Sequence, residues 1–233
     1  MDEGPVIASR HFDDFNAIDP NIVIDEEGRP WIAFGSFWSG IKLRRISTGT
    51  GKLSNEDKTL YAIASRPRGP LSPGSIEAPF IVRKGNHYYL FVSFDLCCRG
   101  VASTYKIMVG RSERVTGPYV DTSGVPMWAG GGTLVLSGSE RWRGPGHNAI
   151  LLREDGDKII YHAYDAAQAG VPTLRIGSLV WDQDAWPLAT NGGEDIPPPE
   201  NPEHPRRSVE PPASQPDTSP LHSFPFFGPR PPR

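Results

Sequence analysis

One hydrophobic pattern recurs three times in this 233-residue chain, and it restricts the fold more than any other feature. The first copy runs Asp19-Pro20-Asn21-Ile22-Val23-Ile24, turns at Glu27-Gly28, and continues as Trp31-Ile32-Ala33-Phe34-Gly35-Ser36. The second runs Glu77-Ala78-Pro79-Phe80-Ile81-Val82, turns at Gly85-Asn86, and continues as Tyr88-Tyr89-Leu90-Phe91-Val92-Ser93. The third runs His147-Asn148-Ala149-Ile150-Leu151-Leu152, turns at Asp155-Gly156, and continues as Lys158-Ile159-Ile160-Tyr161-His162-Ala163. The copies start 58 and then 70 residues apart. Each leads into a further candidate strand, at 41–46, 105–111 and 173–181. Short runs of β-branched and aromatic residues between dense turn signals predict strands, and no amphipathic pattern predicts a helix of three turns. The class is all-β. A four-stranded meander repeated at this spacing describes a β-propeller blade, and periodicity alone leaves a β-sandwich as the competitor.

The prolines mark the domain organisation. More than half of the 25 lie in residues 191–233, a stretch with few apolar residues and neither strand nor helix periodicity. Such a segment buries too little surface to offset its ordering entropy, so it is expected to be a disordered, polyproline-like tail behind a folded domain of residues 1–190. A net charge of −3 supplies no electrostatic footprint for nucleic acid or an anionic membrane. No apolar run has the length of a membrane span, and the first residues lack the pattern of a signal peptide.

In all three copies an ionisable residue directly precedes the predicted innermost strand: Asp19, Glu77 and His147. In a propeller, equivalent strand ends of successive blades converge on one mouth of the central channel. Two carboxyl groups and an imidazole brought together there point to hydrolysis, because paired carboxylates can divide into acid and base roles when their environments separate their pKa values.

Several stretches resemble the endo-1,5-α-L-arabinanases of glycoside hydrolase family 43. They are Phe15-Asn16-Ala17-Ile18-Asp19-Pro20-Asn21, Phe34-Gly35-Ser36-Phe37-Trp38-Ser39-Gly40-Ile41, Ser75-Ile76-Glu77-Ala78-Pro79-Phe80-Ile81, Phe94-Asp95-Leu96-Cys97-Cys98 with Gly100, Gly144-Pro145-Gly146-His147-Asn148, and Leu179-Val180-Trp181-Asp182 with Trp186-Pro187. The resemblance implies a five-bladed β-propeller that cuts internal α-1,5 bonds of arabinan with inversion. By resemblance, Glu77 is the general acid and Asp19 the carboxylate that raises and orients it. Asn16, Ala17, Ile18 and Asp19 match one sugar-contacting segment, and Ser36, Phe37 and Trp38 match another. His147 matches a histidine associated with a metal, usually calcium, which waters would have to complete because calcium prefers six to eight oxygens. No organic cofactor is implied. Cys97 and Cys98 match a family feature, with a vicinal disulfide and two thiols both open. His87 and His162 sit in strand patterns and receive no chemistry, and Asp13 and Asp14 read as solvated loop charges.

One departure bears on activity. The family's general base is an Asp in a His-Asp-Pro motif of the first blade, and these 233 residues contain no such motif. The chain is expected to open at the end of a second blade, with Pro5-Val6-Ile7-Ala8-Ser9, and so to be an N-terminally truncated propeller of about three blades out of five. Arabinan hydrolysis is then expected to be impaired, and the exposed blade faces are expected to promote self-association. A non-catalytic arabinan-binding module is the alternative, and a scaffold whose proline-rich tail recruits partners is a third reading. The resemblance implies a secreted protein acting on arabinan or arabino-oligosaccharides.

Overall fold

Asp25 shows how a blade begins. Burial opposes its ionisation, but the Trp31 indole, donating at 2.8 Å, the Arg29 N–H at 2.8 Å and the Arg29 guanidinium at 2.7 Å hold its pKa below the usual carboxylate value. This turn joins β1 (Asn21–Ile24) to β2 (Pro30–Phe34) in the computed structural model, which describes residues 2–69 and 72–190. In the last sheet Asp157 does similar work. It accepts the Trp181 indole at 2.7 Å, the Arg153 N–H at 2.9 Å and the Lys84 ammonium at 2.6 Å.

The first sheet continues with β3 (Ile41–Arg45) and β4 (Tyr61–Ala64), in the order β1-β2-β3-β4. A small hairpin of β5 (Arg68–Gly69) and β6 (Ser72–Pro73) follows. The second sheet comprises β7 (Ile76–Lys84), β8 (His87–Phe94), β9 (Lys106–Ser112) and β10 (Thr133–Leu136). The third comprises β11 (Trp142–Leu151), β12 (Lys158–Asp165), β13 (Val171–Trp181) and β14 (Pro187–Thr190). Every pairing is antiparallel and every sheet is a meander. Among the described residues there is no α-helix, and so none long enough to cross a membrane.

The sheets stack in chain order. Val23, Trp31, Ala33, Ile41 and Leu43 of the first sheet pack against Ile81, Tyr88, Leu90, Val92 and Phe94 of the second. Tyr89, Phe91, Ile107 and Val109 of the second pack against Ile150, Ile159, Tyr161 and Ala163 of the third. Strand β8 is therefore buried on both faces, which is why its sequence reads as a continuous apolar run rather than an alternation. Three successive meanders packed in this way are blades of a propeller, and the two-layer sandwich is excluded. On the outer flanks, Ile22 and Ile24 of the first sheet are 52% and 53% exposed, and Leu174 and Ile176 of the third are 75% and 69% exposed. The expected proline-rich tail at 191–233 lies outside the described residues.

Candidate active site

The innermost strands do not begin where the repeat predicts. Asp19 precedes β1, but Glu77 lies inside β7 and His147 inside β11. Both sit where the ladder slips, between Glu77 and Phe80 and between Gly146 and Ala149. The backbone is left-handed at Asp19 (φ 55°), Ala78 (φ 54°) and His147 (φ 49°). The structural equivalent of Asp19 and His147 is therefore Ala78, and Glu77 stands one residue ahead of the kink. A bulge re-aims a side chain in this way, and the expectation that all three groups hold the same position is corrected accordingly.

The offset lets Glu77 reach the first sheet. Ser36 Oγ donates to Glu77 Oε2 at 2.8 Å, and Ser36 and Glu77 also form a backbone bridge. The next residue, Ala78, donates its backbone N–H to Asp19 Oδ2 at 3.2 Å. Across the other seam, His147 donates its backbone N–H to Ser93 Oγ at 2.8 Å, and Ser93 is the register partner of Glu77. Asp19, Glu77 and His147, far apart in the chain, meet at one mouth of the stacked blades.

Burial pushes the pKa of Glu77 above the usual carboxylate value. The Ser36 hydrogen bond counters this, the negative charge of Asp19 adds to the rise, and His147 lowers it. The sequence reading assigned the rise to Asp19, whereas desolvation leads.

The sugar-contacting candidates divide. Asn16 Nδ2 donates to the Ser36 carbonyl at 2.9 Å, and Ala17 N–H donates to Ser9 Oγ at 3.1 Å. The Ile18 carbonyl accepts from Gly35 N–H, while the Ile18 side chain is half exposed. Phe37 and Trp38 occupy consecutive left-handed positions, φ 53° and 48°, and are half-buried. The Arg68 guanidinium lies 5.1 Å from the Trp38 ring centroid, so one neighbour of that ring is cationic. Ser36 is buried, and its hydroxyl is committed to Glu77.

The sequence reading passed over several groups. His162 joins the mouth in a half-buried position between the rings of Tyr105 (6.0 Å) and Tyr164 (5.4 Å). Burial, with the charge of His147 as a second cause, lowers its pKa. Arg66 ties Asp95 (2.6 Å) to the Ser75 carbonyl (3.0 Å), anchoring the strand start that carries Glu77. Cys97 and Cys98 form a vicinal disulfide, which removes the thiol alternative, and Cys98 N–H donates to the Tyr164 hydroxyl of the third sheet at 2.8 Å. Ser36 and Ser93 share one position in the repeat, a visible signal for Ser93; His162 carried none beyond its residue type.

The calcium implied at His147 is not shown by this chain's own side chains. His147 offers one exposed imidazole, and among the described residues no group of three or more His, Cys, Asp or Glu side chains gathers to hold a metal. A hard cation calls for six to eight oxygens, and no chemical step here is routed through one.

Comparison with known proteins agrees with this architecture. The family described as glycosyl hydrolases family 43 matches residues 2–187. An extracellular endo-α-(1→5)-L-arabinanase of Bacillus subtilis (strain 168) is 48% identical over 186 residues, covering 80% of this chain and 54% of that relative. An extracellular exo-α-(1→5)-L-arabinofuranosidase of Cellvibrio japonicus (strain Ueda107) is 45% identical over 193 residues, covering 80% and 55%. The solved structure of a Cellvibrio cellulosa α-L-arabinanase complexed with arabinohexaose superposes with a TM-score of 0.75 at 42% identity, covering 81% of this chain and 62% of that one. The chain thus spans about half the length of the curated relatives it matches.

Proposed function

The chain belongs to glycosyl hydrolases family 43, and on that premise we propose that it is an arabinanase-type glycoside hydrolase whose site cleaves internal α-1,5-L-arabinofuranosidic bonds with inversion. The observation that carries this reading is the state of Glu77: half-buried, raised in pKa, and placed beside Asp19 at the mouth of the blades. A carboxyl group whose pKa is raised holds its proton to higher pH and can give it to the departing glycosidic oxygen. Asp19 disfavours ionisation of Glu77 by like-charge repulsion. Asn16, Ala17, Ile18, Phe37 and Trp38 form the sugar-facing rim, aromatic surface covering C–H faces and polar groups meeting hydroxyls. The substrate is arabinan or arabino-oligosaccharide, and the extracellular relatives support export of this protein as well.

Inversion requires a second carboxylate to activate water from the opposite side, about 6.5–9.5 Å away. The charged groups acting on Glu77 are Asp19 and His147, and Asp19 is already engaged by Ala78 N–H. On this reading the 233-residue chain by itself is expected to be an impaired catalyst, and an arabinan-binding module is the second reading.

Glu77→Gln separates the two. Residual hydrolysis of linear arabinan is expected to fall by roughly 10²–10⁴-fold. Arabinohexaose binding, followed by calorimetry, is expected to stay within a few-fold of the parent. Equal hydrolysis by parent and variant would overturn the assignment of Glu77. A parent that binds without any turnover is the binding module.

The apolar flanks carry a further expectation. Ile22 and Ile24 on one side, and Leu174 and Ile176 on the other, are the faces on which a propeller packs its next blade. A second copy covering them would raise the mass measured by light scattering above that of a monomer. Leu174→Lys with Ile176→Lys is expected to return it to the monomer value. A parent chain that is monomeric at high micromolar concentration would exclude this association.

A further inference from the structure

Ser36 looks like part of a sugar-contacting segment, yet its surroundings give it a different task. It is 3% exposed, too enclosed for a polymer hydroxyl to reach. Its backbone is held from several directions. The Ser36 carbonyl accepts from Asn16 Nδ2 at 2.9 Å. On either side of Ser36, Gly35 N–H donates to the Ile18 carbonyl at 2.9 Å and Phe37 N–H to the Ile76 carbonyl at 2.7 Å. Ser36 itself bridges to Glu77. The hydroxyl then has one well-placed partner, Glu77 Oε2 at 2.8 Å.

The second seam repeats the arrangement. Ser93, at the same place in its own blade, points into the third sheet and holds the backbone of His147. A serine at the end of a blade's second strand thus fastens the mouth residue of the following blade, and at neither seam is it turned to solvent.

We propose that Ser36 is a positioning residue for Glu77 rather than a sugar contact, selecting which carboxyl oxygen carries the transferable proton. This rests on the reading of Glu77 as the general acid. A hydroxyl that donates to Oε2 makes that oxygen the hydrogen-bond acceptor of the carboxylic acid. The proton is then carried by Oε1, the oxygen left to meet the glycosidic bond. The same donor also stabilises the carboxylate formed once the proton has gone, offsetting part of what burial and Asp19 impose. The charged groups acting on Glu77 are Asp19 ahead of β1 and His147 on β11, while the Arg66–Asp95 pair anchors the strand start at Ser75. Ser36 is the neutral donor among them.

The test is the titration of Glu77 in the uniformly ¹³C-labelled full chain. The side-chain carboxyl carbon is followed against pH, and its signal is identified by its loss in Glu77→Gln. Ser36→Ala is expected to move the Glu77 midpoint upward by about one pH unit, the scale of a lost hydrogen bond to a charged group. Ser36→Thr, which keeps a hydroxyl, is expected to stay within a few tenths of a unit of the parent. Asp19→Asn is expected to move the midpoint downward. Amide spectra that match the parent away from the mouth establish that each variant is folded. An unchanged midpoint in folded Ser36→Ala, or a Thr variant shifted as far as the Ala variant, overturns the proposal. Failure of the acid assignment would look different: hydrolysis indifferent to Glu77→Gln, with the dependence of the Glu77 titration on Ser36 intact.

Discussion

Linear arabinan incubated with the 233-residue chain is expected to be cleaved on the order of 10²–10⁴-fold more slowly than by an arabinanase that carries its general base, the factor such a base typically contributes. On the proposed reading Glu77 is the acid, and it is desolvated, raised in pKa and hydrogen-bonded to Ser36. The chain contains no His-Asp-Pro motif, and Asp19, the carboxylate acting on Glu77, accepts the Ala78 N–H at 3.2 Å. Asp19 is read as the carboxylate that raises the acid, whereas inversion needs a further group that activates water from the other side. Reducing-end release from linear arabinan, measured beside the Bacillus subtilis endo-arabinanase, checks this. A rate within tenfold of that enzyme would show that Asp19 or another group in this chain serves as the base.

The second large effect is expected at Gly40, which closes the turn carrying Ser36, Phe37 and Trp38. Its φ is 85°, and a Cβ there would lie 2.1 Å from the Ala64 carbonyl oxygen and 2.8 Å from Ser65 Cα. Both are backbone atoms of the neighbouring strand end, so nothing flexible can give way. The Gly40 N–H also donates to the Phe37 carbonyl at 2.7 Å, tying the strained turn to its own end. Gly40→Ala combines an unfavourable left-handed conformation with overpacking, and the expected loss is on the order of 3–5 kcal/mol. That is a large share of the ~5–15 kcal/mol by which a domain is stable. Urea unfolding of parent and variant measures it. A loss below about 1 kcal/mol would mean that the turn relaxes and that the close approach to Ala64 is not a constraint.

Much of the fold was legible because each blade repeats the same local instructions. The Gly85-Asn86 turn pairs Lys84 with His87, as its letters suggest. The strands expected at 41–46, 105–111 and 173–181 appear as Ile41–Arg45, Lys106–Ser112 and Val171–Trp181. The β5–β6 hairpin went unread because Arg68–Gly69 and Ser72–Pro73 are too short for any period to show. At the site, residue types pointed to Glu77, Asp19 and His147, but aligning letters placed Glu77 one position off. The left-handed kink falls at Ala78, and alanine does not advertise positive φ as glycine does. The same limit hid the task of Ser36, because whether a hydroxyl meets a sugar or a carboxylate depends on the neighbouring blade.

The amino-acid sequence by itself determined that this protein is built of short repeated β-strands, where each repeat turns, and which chemical groups lie near the start of each repeat's inner strand, since all of these follow from patterns a few residues long. Only the tertiary structure decided how those groups are spent: Glu77 toward Ser36, Asp19 toward Ala78 N–H, His147 toward Ser93, and Cys97 bonded to Cys98. The physical reason is that most of these contacts cross a seam between blades. Their partners are separated by 41, 59 and 54 residues, and bulges that no short pattern encodes set the direction in which each side chain points.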